Sequence, residues 1–492
     1  MELKIRLLKW SAGLPVAMLN KRTAEKMGIH PKDRVSIQTT SRPIKEISTI
    51  VDTIEGLVKN NEIAVSSELK KNFNLKVGQK VDVNLSSPPK SIELVKKKLN
   101  KKVLSKKEID EIIEDIVDNS LPELEIALFV SAMYKQGMNF KETIYLTESI
   151  LKSGNSLKLP GKFIVDKHCI GGVSGNRTTP LVVSICAAAG LTFPKTSSRA
   201  ITSAAGTADV IETIAKVGFS IKELEKIVKK TNACMVWGGS LGMVPADSRI
   251  IQVEKLLKID PQAQLLASIM SKKLAVGSKY ILIDIPYGKG AKVNKSQAIK
   301  LKKKFEQIGK YFHKKISVVL TDGKQPIGNG IGPGLELIDI LKILKREEDA
   351  PKDLEKKSLF LAGQILEMAK KAKKGKGVEL ANEILQSGKA FEKFEQIIIA
   401  QGGKLKKIKL AKFKKNILSK KSGKIREINN KKINSLAKIA GCPIDKFAGV
   451  YLYFHVGDKI KKGEKILTIY SESKSRLNEA IRFYNETKPI NF

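Results

Sequence analysis

Hydrophobic and polar positions change their period several times along the chain. Residues 1–85 carry short apolar stretches and an internal repeat: the segment from Leu19-Asn20 to Val35-Ser36-Ile37 aligns with that from Val65-Ser66 to Val81-Asp82-Val83. Each copy reads as a strand, a short capped helix, a turn and a strand. In the first, Asn20 is the cap, Met27 and Ile29 are apolar and Pro31-Lys32-Asp33-Arg34 is the turn; Ser66, Phe73, Leu75 and Val77-Gly78-Gln79-Lys80 take those places in the second. Such a duplication predicts a small pseudo-symmetric β-barrel. It holds no cluster of catalytic residue types, so it reads as a structural or assembly module, and Ser86-Ser87-Pro88-Pro89 follows as a linker.

Between residues 90 and 153 the period becomes helical. Ile109, Ile112, Ile113, Ile116 and Val117 fall at i, i+3, i+4, i+7 and i+8, and further amphipathic segments cover 122–135 and 140–152. The stretch 162–212 then holds two Gly/Ser/Thr-rich loops, each where a strand should hand over to a helix. A strand is expected at 163–165; Gly171, Gly172 and Gly175 loosen the backbone before an apolar helix at 180–189. Ser197, Ser198, Thr202, Ser203, Gly206 and Thr207 precede a second helix expected from Asp209. Backbone N–H groups and hydroxyls at two helix N-termini suit a substrate with phosphate at both ends.

Downstream, Ser220 to Glu223 has the pattern of a capping box. Strands at 280–286 and 316–320 and helices at 335–345, 357–372 and 391–400 give an alternating α/β order. The glycine-rich loop at 327–334 lacks the Walker spacing and its terminal Gly-Lys-Ser/Thr. The basic stretch 404–432 reads as surface strands and loops. Residues 449–471 resemble the strand-turn-strand hammerhead of lipoyl-like domains without an attachment motif, so they read as packing.

Two groups of residues have both a structural and a chemical reading. Asp260 before Pro261 fits a helix cap followed by proline at the first helical position, and needs no catalytic role to be there. Ser268 and Lys272, at i and i+4 on one helical face, read equally as an ordinary exposed pair. Lys289 and Lys292, spaced by glycine after a strand, suit an anionic ligand or a solvated turn.

At 492 residues the chain has room for about three domains, and 42% hydrophobic residues supply real cores. Lys and Arg number 90 against 50 Asp and Glu, a formal net charge of +40. The lysines are scattered along helices and loops, with no arginine-rich tail and aromatics at only 5%, so nucleic acid is not the expected partner and the charge reads as a solvated surface. Cys169, Cys186, Cys234 and Cys442 lie far apart without a CxxC pair, which argues against a zinc site or a disulfide framework. The segment from Trp10 to Leu19 faintly echoes a signal peptide, but Gly13 and Pro15 interrupt it, and a strand and turn fit better. No apolar run reaches the roughly 18 to 20 residues needed to cross a bilayer, so a soluble, cytoplasmic protein without a membrane partner is expected.

The runs Lys167-His168-Cys169-Ile170-Gly171-Gly172-Val173 and Ser198-Arg199-Ala200-Ile201-Thr202-Ser203-Ala204-Ala205-Gly206-Thr207-Ala208-Asp209 closely resemble the thymidine/pyrimidine-nucleoside phosphorylase family. The likeness continues through Val244-Pro245-Ala246-Asp247, residues 268–273 and residues 321–328, and covers roughly 90–490. The N-terminal repeat, the Gly-Asn-Arg-Thr-Thr run at 175–179 and Asp260 point to its archaeal branch that takes nucleoside 5′-monophosphates. The resemblance implies that AMP, with CMP and UMP, reacts with phosphate to give the free base and ribose 1,5-bisphosphate. No cofactor or metal is implied, inorganic phosphate being a co-substrate, and a homodimer or larger homo-oligomer is expected.

The implied fold is an α/β multidomain of the nucleoside phosphorylase type II kind. An N-terminal barrel spans 1–85 and a helical domain 90–158 with 245–278. An α/β phosphate-binding domain takes 159–244 and 279–428, and a C-terminal α+β lobe 429–492. By the same likeness Lys167, Thr179, Ser197 and Thr207 hold inorganic phosphate. Gly172, Ser198, Arg199, Ala200, Ile201, Thr202, Ser203, Thr207, Ser268 and Lys292 contact the nucleotide, and Asp260 donates the proton from across a cleft. Two departures matter: Val253 stands where pyrimidine phosphorylases have an arginine against the base, and Cys169 where they have a serine. The alternatives are a thymidine or pyrimidine-nucleoside phosphorylase, a phosphoribosyltransferase, and, from another class, a basic RNA-binding protein.

Overall fold

The computed structural model describes all residues except 9–15, 41–43, 45, 68, 71–73, 160, 162, 201, 202 and 407. Phe73 and the segment with Trp10, Gly13 and Pro15 therefore lie outside the described residues. The chain forms two compact units, Met1–Gly154 with Val244–Ser271, and Asn155–Met243 with Lys272–Phe492.

In the first unit, six strands close into a barrel in the order Glu2–Leu7, Glu62–Val65, Val16–Asn20, Glu46–Ile54, Arg34–Thr39, Lys80–Leu85. The repeat is a symmetry of the pairing. Ala17 faces Val65 as Leu19 faces Ile63, and Val35 faces Leu85 as Thr39 faces Val81, with Ile37 opposite Val83 on the axis. The same exchange carries the Ile5–Ile63 pair onto Val51–Ala17, so the duplication includes two strands whose sequences hide it. Asn20 caps its helix by accepting from the Arg22 N–H at 2.9 Å, and the Ser66 hydroxyl accepts from the Leu69 N–H at 3.4 Å. Closure leaves no strand edge open, and alternate residues such as Leu3, Ile5 and Ile37 fill the interior.

The helices Ser91–Leu99, Lys106–Val117, Glu123–Gln136, Phe140–Lys152 and Pro245–Leu257 build a bundle beside the barrel. Ile109, Ile112, Ile113 and Ile116 are buried as their spacing predicts. Capping boxes at Ser105–Glu108 and Asn139–Glu142 start two of the helices. Glu142 also takes the buried Lys98 ammonium at 2.8 Å, and Arg34 of the barrel reaches Glu125 of the bundle at 2.6 Å. Val253 lies inside the bundle core, 2% exposed. The helix Gln262–Ala275 begins one residue later than its sequence suggests. The Leu265 N–H bonds the Pro261 carbonyl, so Pro261 takes the cap position and Asp260 stands one residue outside it. Ser268 and Lys272 are not an exposed pair: Ser268 is buried and Lys272 half-buried.

In the second unit the parallel strands Lys315–Asp322, Tyr280–Tyr287 and Val165–Cys169 form one sheet, and Phe193–Ser197 with Ala233–Trp237 another, joined through the Ile164–Thr192 bridge. The strand expected at 163–165 instead runs Val165–Cys169 and carries Asp166 and Lys167 into the interior. Charge does not bar them, because each finds a partner there. Helices Thr178–Ala188, Lys352–Met368 and Lys389–Ala400 cover the sheet. A helix that the periodicity did not suggest, Gly377–Gln386, packs against Lys352–Met368 where Gly377 meets Gly363. A Cβ on Gly377 would lie 2.2 Å from the Gly363 carbonyl oxygen, so the contact needs glycine.

The C-terminal part folds on the antiparallel sheet Gly330–Ile331, Gly449–Leu452, Lys465–Ser471, Phe413–Leu418, with helices Asn430–Ala440 and Lys474–Thr487 over it. The glycine-rich segment 327–334 is tied down by the chain's own carboxylates. Asp339 accepts from the Asn329 and Gly330 N–H groups, both at 2.7 Å, and Asp353 from Gly328 at 3.1 Å. These donors are occupied, in keeping with the missing Walker spacing.

Candidate active site

Mid-strand Lys167 and Lys195, with Lys273 and Lys357 from helices, form an unusual set of buried cations below the carboxyl ends of the parallel strands, where ligands bind in open α/β sheets. Asp166 lies between two ammonium groups, Lys273 at 2.7 Å and Lys195 at 3.2 Å. Asp284 lies against Lys357 at 3.1 Å and accepts from the Thr321 hydroxyl at 2.6 Å. Among the described residues, Lys167 has no carboxylate within ion-pair distance. Its Nζ donates to Thr178 Oγ1 at 2.7 Å and approaches Thr179 Oγ1 at 3.5 Å, in the first turn of the helix Thr178–Ala188. Burial pushes its pKa down to about 8. Burial first, then Lys273 and Lys195, hold His168 well below the ordinary histidine range, so its ring is neutral at physiological pH. A cation held beside threonine hydroxyls at a helix N-terminus is an arrangement for an anion.

The sequence-derived phosphate residues share this neighbourhood in part. Lys167 and Thr179 meet, and Thr178, which the sequence reading passed over, is nearer to the ammonium. Ser197 ends its strand, and its hydroxyl and that of Thr196 beside it are buried without a hydrogen-bond partner among the described residues. Thr207 opens a helix of five residues, Thr207–Ile211, and accepts from Arg177 Nη1 at 3.1 Å.

Of the nucleotide-contact set, Gly172 and Lys292 are adjacent: Gly172 has φ +92°, and a Cβ there would lie 2.8 Å from the Lys292 backbone nitrogen. Gly206 packs equally closely on the Ser198 carbonyl, where a Cβ would come within 2.4 Å of the oxygen. Arg199 is held by Glu212 at 2.6 Å and Asp209 at 3.2 Å and lies over the Trp237 ring at 4.9 Å. Its guanidinium pushes the Glu212 carboxyl down to about 2. The Ala200 N–H donates to Asp209 at 2.7 Å and the Ser203 hydroxyl to the Ala205 carbonyl at 2.6 Å. Ile201 and Thr202 lie outside the described residues. Ser268 and Asp260 belong to the first unit, Asp260 exposed at the entrance to its helix.

The two loops are therefore not equivalent. In the second, Asp209 already takes the N–H groups of Ala200 and Gly206, the latter at 2.8 Å, so the loop offers a ligand its hydroxyls and not those two donors. The expectation of a second helix N-terminal cradle is corrected by this carboxylate and by the shortness of the helix.

The C-terminal helix Asn430–Ala440 braces both loops. Asn430 Oδ1 accepts from the Ser174 N–H at 3.0 Å, its Nδ2 donates to the Gly323 carbonyl at 3.0 Å, and Asn434 accepts from the Ala204 N–H at 3.0 Å. Two of these bonds, to Ser174 and to Ala204, join residues more than two hundred positions apart, which no local sequence pattern signals. Among the described residues no group of three or more His, Cys, Asp or Glu could hold a metal ion, and no helix is long and apolar enough to cross a membrane.

Residues 92–154 match the helical bundle domain of a glycosyl transferase family, 161–391 its a/b domain, and 424–491 the pyrimidine nucleoside phosphorylase C-terminal domain. An anthranilate phosphoribosyltransferase from Thermus thermophilus shares the fold, with TM-score 0.53 and 18% identity over 63% of this chain and 99% of that one.

The match is far closer to curated AMP phosphorylases. That of Methanococcus vannielii is 42% identical over 99% of this chain and 97% of the relative. Those of Thermococcus kodakarensis and Pyrococcus furiosus are each 42% identical, over 100% and 99% of this chain and 97% of each relative. The chain belongs to the AMP phosphorylase family, and is an enzyme of the pentosyltransferase class.

Proposed function

We propose that the protein phosphorolyses nucleoside 5′-monophosphates: AMP, and also CMP and UMP, react with phosphate to give the free base and ribose 1,5-bisphosphate in nucleotide salvage or breakdown. The observation that carries this reading is the Lys167 ammonium held against the Thr178 and Thr179 hydroxyls at a helix N-terminus, in a chain related along its whole length to AMP phosphorylases.

In this reading Lys167, Thr179, Ser197 and Thr207 hold the attacking phosphate. Gly172, Ser198 to Ser203, Thr207, Ser268 and Lys292 hold the nucleotide. A phosphate oxygen forms a bond to C1′ as the C1′–N bond to the base breaks; the bonding pair leaves with the base, and Asp260 gives it a proton. Positive charge builds on the ribose and negative charge on the base, so the two reactants must be oriented on opposite faces of the sugar. Asp260 acts as a general acid, and the proton it loses is restored from solvent after product leaves. His168, neutral and buried, orders the loop and is not the nucleophile.

Val253, buried among aliphatic side chains of the bundle, speaks against a clamp for pyrimidine nucleosides. The domain boundaries given above, a cytoplasmic location and a homo-oligomeric state belong to the same reading. Product analysis after incubation with AMP and phosphate tests it: adenine and ribose 1,5-bisphosphate are expected in equal amounts, and turnover confined to nucleosides lacking the 5′-phosphate would refute it.

A further inference from the structure

Arg177 lies in the run 175–179 that sets this branch apart, and the assignment of site residues leaves it without a role. It stands at the cap position of the helix Thr178–Ala188, with its side chain only 12% exposed. Three of its N–H groups are engaged: Nε donates to Glu336 at 2.7 Å, Nη2 to the Ala205 carbonyl at 2.5 Å and Nη1 to Thr207 Oγ1 at 3.1 Å. A guanidinium has five N–H donors, so two remain without a partner among the described residues. Glu336 is itself buried and fixed by the Gly332 N–H at 3.2 Å, which locks the fork in place.

Thr207 is affected by this contact. Its oxygen accepts from Arg177, which leaves the hydroxyl proton to donate to an anion. Meanwhile the phosphate shell has lost a donor, because Cys169 brings a thiol, a weak donor, where the resemblance expects a serine hydroxyl. Burial keeps that thiol neutral, and Asn176 Nδ2 approaches its sulfur at 3.4 Å.

Resting on the phosphorolytic reading above, we propose that Arg177 holds the attacking phosphate directly, its two remaining N–H donors and the Thr207 hydroxyl closing the shell that Lys167, Thr179 and Ser197 begin. Arg177 is then the cation that compensates for Cys169. Neutralising Glu336 is its second task, and the two tasks separate experimentally.

Arg177→Lys keeps a cation for Glu336 but lacks a planar fork able to span Glu336, Thr207 and a ligand at once. The paired change Arg177→Leu with Glu336→Leu removes both charges, so neither variant leaves a buried carboxylate alone. Calorimetric titration of the nucleotide-free protein with inorganic phosphate is combined with KM for phosphate and for AMP, and circular dichroism melts establish folding. In both variants the affinity and KM for phosphate should weaken roughly 10- to 100-fold, with a clearly smaller rise in KM for AMP, which shares only Thr207 with the phosphate shell. Unchanged phosphate affinity in a folded variant, or a loss that falls on AMP instead, overturns the proposal. If wild-type protein binds phosphate but releases no base from AMP, the phosphorolytic reading fails. Loss of phosphate binding in the two variants would then still support Arg177 as an anion-holding residue.

Discussion

Lys273 Nζ lies 2.7 Å from Asp166 Oδ2, both side chains wholly buried, while Lys195 takes the other carboxylate oxygen at 3.2 Å. One carboxylate thus offsets two ammonium groups at the centre of the sheet. Removing a single partner from a buried pair strands the other charge, at a cost of about 3–5 kcal/mol. Asp166→Ala strands two lysines, so it should lower stability by at least that amount and by more than Lys273→Met, as read by denaturant unfolding. Equal effects of the two changes would show that Lys195 does not depend on Asp166.

Lys167 supplies a pH prediction. Its ammonium is the charged form proposed to hold phosphate, and burial has lowered its pKa to about 8. The lysine is protonated below that value and neutral above it, so kcat/KM for phosphate should fall as pH rises through about 8, since that ratio reports the free enzyme. Lys167→Met should remove this limb of the profile together with about 10- to 100-fold of phosphate affinity. A limb that persists in the variant belongs to another group.

Asn430 carries the link between the C-terminal lobe and the first loop. Asn430→Ala leaves the Ser174 N–H and the Gly323 carbonyl without their partner, at about 1–3 kcal/mol for each buried group. We expect a lower Tm and a higher KM for both substrates, with Asn430→Asp intermediate because it keeps the acceptor for Ser174 and loses the donor for Gly323. Unchanged kinetics in a destabilised Asn430→Ala protein would limit the lobe to a stabilising role.

Val253→Arg tests the reading of that departure. The position is 2% exposed in the bundle core, so an unpaired guanidinium there should cost several kcal/mol, on the order of 3 or more. No thymidine or uridine phosphorolysis is expected to appear. A folded variant that gains either activity would place the side chain at the base.

Much of this architecture is legible because it is periodic or punctuated. The Ile109–Ile116 spacing, the Ser220 capping box and the 1–85 repeat each become the element they predict. The repeat's extension to Glu2–Leu7 and Glu46–Ile54 is not legible, because barrel pairing conserves alternate burial and not residue identity. The strand at Val165–Cys169 is expected too early for a related reason: Asp166 and Lys167 look like surface residues until Lys195, Lys273, Thr178 and Thr179 arrive from elsewhere in the chain. Asp209 misleads in the opposite sense. It reads as the start of a helix, while its carboxylate closes the loop on Ala200 and Gly206. Of the site, Lys167 and the loop residues come from motif likeness. Arg177, Asn430 and Asn434 act through bonds distant in sequence and require the fold.

Asp260→Asn probes the proposed acid. Amide replacement keeps the shape and removes the proton, so kcat for AMP should fall by roughly 10²- to 10⁴-fold, with KM for AMP little changed. Near-normal turnover would make Asp260 only an entry residue of the helix Gln262–Ala275.

The most direct measurement compares AMP with adenosine under the same phosphate concentration, following free adenine and the phosphorylated ribose product together. The proposed AMP phosphorolysis predicts phosphate-dependent release of adenine from AMP with ribose 1,5-bisphosphate formed one for one, and little or no release from adenosine. Release from adenosine but not from AMP, or no phosphate-dependent release from either, would contradict it.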